Sequence, residues 1–155
     1  MKLLLTLTTA ALFIVAAAAV ADNHAESATF PVPKTEVEAR NIETMRLWGE
    51  EVWGKGRLEL VPELVGSEYV RHNAEGTRVV TPESYAKEIL AARARGAQFE
   101  TKAAVLDGDL MWTQWNVSGT TSEGETRQAK GLQVYRFDDG KLVETWNLSA
   151  PGSWD

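Results

Sequence analysis

Apolar positions first recur at helical spacing from Val37, where Val37, Ile42, Met45, Trp48 and Val52 form one stripe behind a capping box at Thr35-x-x-Glu38. The pattern predicts a first helix from Thr35 to about Trp53, stopped by Gly54 and Gly56. Leu58, Val61 and Leu64 predict a short second helix with Pro62 near its start, ended by Gly66. A short strand over Tyr69 to His72 should lead into a turn at Asn73 to Gly76. Thr81-Pro82 opens a third helix, whose buried face is expected to carry Tyr85, Ile89 and Leu90 before Gly96 ends it. Trp48 and Trp53 read as core aromatics, as a helical stripe usually implies, with pocket lining as the alternative.

After Gly96 the period changes to that of strands. Gln98 to Leu106, Asp109 to Gly119 and the stretch Gly131 to Asn147 predict strands joined by tight turns, with Asp107-Gly108 the strongest turn signal. Helices first and a meander of strands second predicts an α+β domain. The last hairpin, GLQVYRFDDGKLVETWN, turns at Asp138-Asp139-Gly140. Pairing that puts Gln133, Tyr135, Thr145 and Asn147 on one face leaves Leu132, Val134, Leu142, Trp146 and Leu148 on the other. The first face, amides and a phenol among apolar neighbours, suits a small-molecule cavity.

Ahead of the domain, Lys2 precedes an apolar run from Leu3 to Val20 that closes in Ala19-Val20-Ala21, the pattern of a secretory signal cleaved after Ala21. An uncleaved membrane anchor is the alternative. The expected organisation is a signal peptide over residues 1–21, an extended linker over 22–34 that contains His24, Pro31 and Pro33, and one domain over 35–155. The product should be periplasmic or secreted and should not stay in a membrane. The formal charge of −6 becomes one unit more negative once Lys2 is removed, which disfavours nucleic acid and anionic membrane partners. There is no Cys, so the hydrophobic core alone holds the fold.

Candidate chemistry is sparse. His72 is the only His of the expected domain and titrates naturally near neutral pH, which makes it either a catalytic acid/base or a hydrogen-bonded wall residue. Within that domain it has no second His and no Cys to complete a zinc site, and no cofactor is expected. No nucleophile elbow, P-loop or dinucleotide fingerprint occurs. Asp107-Gly108-Asp109 reads as a turn rather than a calcium loop, and the sequons at Asn116 and Asn147 fall in expected strands.

Val52-Trp53-Gly54-Lys55-Gly56, Tyr69-Val70-Arg71-His72, Gly108-Asp109 with Trp115 and Gly119-Thr120, and Tyr135-Arg136-Phe137 through Asp139-Gly140-Lys141-Leu142 to Glu144-Thr145-Trp146 occur in order. In that ordered set, over about residues 36–149, the chain resembles SnoaL-like proteins of the nuclear transport factor 2-like superfamily. The resemblance implies a cone of three N-terminal helices packed on a strongly curved antiparallel sheet, with a pocket between them and a homodimer formed through the sheet. In the family's ring-closing enzymes an Asp directly after the hairpin Trp is the acid/base, assisted by a His on the partner strand. Those positions here are Asn147 and Gln133, and neither exchanges a proton near neutral pH. Thr121 stands where many members have a further His, and the segment from Ser122 to Gly131 is shorter than the family's loop at the cavity mouth, which should leave the pocket more open.

The expected pocket comprises His72, Tyr85, Trp115, Gln133, Tyr135 and Asn147. His72 would be the acid/base, the two amides would bond a carbonyl or hydroxyl, and the aromatics would form walls. Alternatively, Gln133 and Asn147 satisfy each other across the hairpin. Three functions stay open: a cyclase or isomerase acting on a small, apolar carbonyl compound, a non-catalytic module that binds a small hydrophobic molecule, or a structural dimer whose cavity is filled by its own side chains.

Overall fold

The structure, a computed structural model, describes residues 30–121 and 123–154. The expected signal peptide and His24 lie outside the described residues. Of the expected linker, residues 30–34 are described, and Phe30 packs against the core of the domain.

Helix α1 (Glu36–Leu47) starts where its cap predicts, with the Thr35 side chain accepting from the Glu38 N–H. The capping box is incomplete, because Glu38 accepts from the Lys34 N–H at 2.5 Å instead of turning back to Thr35. The helix continues as a wider π-helical segment (Trp48–Lys55), closed by Gly56 at φ +79°. A 3-10 turn (Leu58–Leu60) and helix α2 (Val61–Leu64) follow. Gly66 is not the stop for α2, since it already lies inside β1 (Val65–Asn73), which turns into β2 (Gly76–Val80). Helix α3 (Pro82–Ala94) has a complete capping box between Thr81 and Ser84. It buries Tyr85 and Ile89 one turn apart, whereas Leu90, one residue further round the helix, faces solvent.

Strands β3 (Gln98–Asp107), β4 (Leu110–Thr120), β5 (Thr126–Asp138) and β6 (Lys141–Pro151) form the meander. The six-stranded sheet has the order β2-β1-β6-β5-β4-β3. All neighbours are antiparallel except β1 and β6, which run parallel, so the expected antiparallel sheet contains one parallel seam. The helices cover the concave face, giving the cone-shaped α+β architecture. Polar side chains of α1 hold the two hairpin turns: Asn41 Nδ2 donates to Gly108 O at 3.1 Å and Thr44 Oγ1 to Gly140 O at 2.5 Å. The β5–β6 turn itself needs positive φ at two successive residues, met by Asp139 at +45° and Gly140 at +77°.

The β5–β6 register pairs Gln133 with Asn147 and Tyr135 with Thr145 on the concave face, as the alternation predicts. Leu142 departs from the expectation. Arg136 pairs with Glu144 but Phe137 pairs with Leu142, so Val143 is an extra residue and the bulge reverses parity. Leu142 is therefore fully buried on the concave face. The greasier face, Leu132, Trp146 and Leu148, is turned outward and exposed, together with Val105 and Trp112.

Candidate functional site

Strand parity brings five of the six expected site residues together. Trp115 on β4, Gln133 and Tyr135 on β5, and Asn147 on β6 point to the concave face, and Tyr85 descends onto it from α3. His72 does not join them. It pairs with Trp146 in the parallel seam and stacks on that indole on the outer face, ring centroids 5.3 Å apart and nearly parallel. There its two ring nitrogens lie 2.8 Å from Thr77 Oγ1 and 2.8 Å from Glu144 Oε1. Glu144 also receives Arg136 at 2.9 Å, and the His72 and Arg136 hydrogen bonds outweigh its desolvation, holding the carboxyl below the usual carboxylate range. The reason is the period of a strand: Tyr69 is buried on the concave face, so Arg71 shares that face and His72 takes the other.

The hydrogen bonding of the concave face differs from the expected amide pair. Gln133 Nε2 donates to Thr145 Oγ1 at 2.7 Å, and Thr145 Oγ1 donates onward to Val134 O at 2.8 Å. Among the described residues, Asn147 Oδ1 and Trp115 Nε1 are buried without a hydrogen-bond partner. Burial pushes the Tyr69, Tyr85 and Tyr135 phenols above their ordinary value, so all three stay protonated near neutral pH.

Aromatic rings fill the depth of the cone. Trp53 stacks on Phe99 at 5.7 Å and Phe99 on Trp115 at 5.2 Å, while Tyr85 meets Trp48 at 5.5 Å and Tyr69 at 5.4 Å. Trp115 lies across Gly131, where no other residue fits. Outward from that pair, Val117, Ala129 and Pro151 continue the concave face and line a groove of about 930 Å³. Arg95, at the end of α3, lines its other side and is fixed by a 2.9 Å bond from Thr120 N to Arg95 O. Pairing of β4 with β5 runs to Thr120 and Thr126 at this mouth, so five residues join the two strands.

A second cavity of about 390 Å³ lies under α3, lined by Trp53, Arg71, Tyr85, Glu88, Ala92 and again Arg95. The Arg71 guanidinium lies 4.3 Å above the Tyr85 ring and donates to Glu88 at 2.9 Å. Arg78 grips both oxygens of the same carboxylate at 2.7 and 2.8 Å. Burial alone would raise the Glu88 pKa, but Arg78 and Arg71 outweigh it and hold the carboxyl below its usual range. Sequence reasoning missed Arg71, Glu88 and Arg95 and left Trp53 to the core. Only for Arg71 was a local signal present, two residues after the buried Tyr69. Among the described residues, no three His, Cys, Asp or Glu side chains converge as a metal site requires, and no helix is long and apolar enough to cross a membrane.

Helices capping a curved sheet, with an aromatic-lined cavity opening at one end, define the class: a cone-shaped α+β domain suited to a small molecule. The sequence profile of the SnoaL-like domain matches residues 45–145, and the chain belongs to that family. Among solved structures, a candidate polyketide cyclase from Acidithiobacillus ferrooxidans superposes with a TM-score of 0.62 at 21% identity, over 74% of this chain and 91% of that one. IdmH from Streptomyces antibioticus, another candidate polyketide cyclase, gives 0.58 at 24% identity over 70% and 91%. A candidate SnoaL-like polyketide cyclase from Jannaschia sp. CCS1 gives 0.62 at 15% identity over 77% and 91%. At these identities the likeness establishes the fold. Among curated proteins, none matches this chain.

Proposed function

We propose that this chain is a binding module whose cone holds a small, predominantly apolar molecule without turning it over. One observation carries the reading: the groups lining the concave cavities do not exchange protons near neutral pH. Glu88 is the only carboxylate among the described residues that line them, and it is tied to Arg71 and Arg78. His72 faces outward. The residues at the positions of the family's acid/base pair are the amides Asn147 and Gln133, which orient a ligand but do not abstract its proton. The competing reading, a cyclase or isomerase of an apolar carbonyl compound, draws on the likeness to candidate cyclases and would require Glu88 to leave two guanidinium groups and act as base.

The test is hydrogen–deuterium exchange next to the carbonyl of a panel of cyclic ketones in D2O, followed by NMR with the full chain at substrate-level concentration. Exchange at the buffer rate supports the binding module. Catalysed exchange that disappears in Glu88→Gln overturns it.

The module works as a homodimer in this proposal, joined through the outer sheet face. Val105, Trp112, Leu132, Trp146 and Leu148 lie together there as an exposed apolar patch, the kind of surface that a second copy of the chain would cover. We also propose export, on the strength of Lys2, the apolar run to Val20 and Ala19-Val20-Ala21.

A further inference from the structure

Cavity charge runs against the charge of the chain. The whole sequence carries −6, yet guanidinium groups dominate two neighbouring concave spaces that share Ala92 and Arg95 in their walls. Arg71 and Arg78 share the single carboxylate of Glu88, which leaves one positive charge over. Arg95 has no ion-pair partner among the described residues and lines both the 390 Å³ cavity and the 930 Å³ groove. Arg127, on the groove's far side, reaches Glu125 at 3.6 Å. The surfaces between these charges are apolar: Trp53, Tyr85, Ile89 and Ala92 around Arg71, and Val117 and Ala129 along the groove.

We propose, building on the binding-module reading, that the occupant is an amphipathic carboxylate, with its carboxylate between Arg71 and Arg95 and its apolar body along the groove. A planar carboxylate matches the guanidinium fork, and charge-assisted hydrogen bonds in an apolar setting are the strong kind. One negative charge offsets one of the two left unbalanced there, the surplus of the Arg71, Arg78 and Glu88 group and the charge of Arg95. A phosphate-like dianion would have to shed a much larger hydration shell against Trp53, Ile89 and Ala92. A cation is repelled by both arginines, and a neutral molecule brings no charge for Arg71 and Arg95 to pair with.

The test compares one body with three headgroups by isothermal titration calorimetry on the full chain at pH 7: decanoate, decan-1-ol and decylamine. The same comparison with 2-naphthoate, 2-naphthol and 2-naphthylmethylamine covers a flat body. Expected are one site per chain for at least one of the two carboxylates and binding at least tenfold weaker for the matching alcohol and amine. Arg95→Gln, at the exposed end of α3, should weaken carboxylate binding at least fivefold and leave the alcohol unchanged. Arg71→Gln provides the second arm, with circular dichroism to verify its fold. An alcohol bound as tightly as its carboxylate, or full carboxylate affinity in Arg95→Gln, overturns the carboxylate assignment while leaving the cone a container for apolar molecules. Failure of all six probes to bind overturns the assignment and counts against the binding module as well.

Discussion

Replacing Gly131 by Ala tests how tightly Trp115 closes the depth of the cone. A Cβ on Gly131 would stand 2.3 Å from Trp115 Cζ2, 2.6 Å from Cε2 and 2.4 Å from the Leu148 carbonyl oxygen. Carbon atoms meet comfortably at about 3.5 Å, so the ring must retreat by roughly 1 Å. It has little room, because Phe99 stacks against it at 5.2 Å and Trp115 is itself buried. The Leu148 carbonyl belongs to the paired backbone of β6, so moving it strains the β5–β6 ladder. Overpacking costs about 1–3 kcal/mol when side chains can shift, and with a carbonyl also in the way the expected loss is near 3 kcal/mol. The gain from stiffening the unfolded chain, about 0.4–1 kcal/mol, does not reverse it. Urea unfolding followed by tryptophan fluorescence and circular dichroism measures the difference. A loss below about 0.5 kcal/mol would refute the packing argument. The same substitution in a Trp115→Leu background separates the two contacts. If the ring were the whole obstacle, the cost there would fall to nearly nothing; about 1 kcal/mol is expected to remain from the Leu148 carbonyl.

Three other measurements address different parts of the molecule. Thr145→Val strips Gln133 Nε2 of its acceptor inside the core and should cost about 1–3 kcal/mol in urea unfolding, whereas Thr145→Ser should keep most of the stability; equal losses would remove the hydrogen bond as the cause. Glu88 has a folded-state pKa below its ordinary 4.5, so its stabilising contribution is full above pH 4.5 and is lost as pH falls through the lower folded value. Thermal melts of the wild type and Glu88→Gln should therefore differ most at pH 6–7 and converge toward pH 3, and a gap that widens on acidification would contradict the sign. Leu148, 72% exposed, lies in the face proposed to join two chains: the wild type should sediment as two chains and Leu148→Lys as one, with the circular dichroism intact; a wild type that sediments as one chain, or a variant that keeps the mass of two, would overturn a dimer through this face.

Much of the fold was legible in short stretches because its signals are local. Thr35 and Thr81 accept from N–H groups three residues on, Asp139 and Gly140 supply the positive φ of a two-residue turn, and alternation along Gly131 to Asn147 set the right register. That Gln133, Tyr135 and Asn147 share one face followed from that alternation. What alternation left open is which face the helices cover, and where one extra residue reverses parity. The bulge at Val143 moved Leu142 inward without any local mark, since every residue around it is an ordinary strand former. His72 drew attention by its chemistry, although the period from Tyr69 already placed Arg71 on the concave side. The remainder of the site was decided only by tertiary structure. Glu88 meets Arg71 and Arg78 across the gap between α3 and the β1–β2 hairpin, and Arg95 meets the groove because Thr120 binds the end of α3. Caps, turns and strand period act over two to four residues and are written in the sequence. Charges that converge from separate elements depend on the curvature of the whole sheet, which no short stretch encodes.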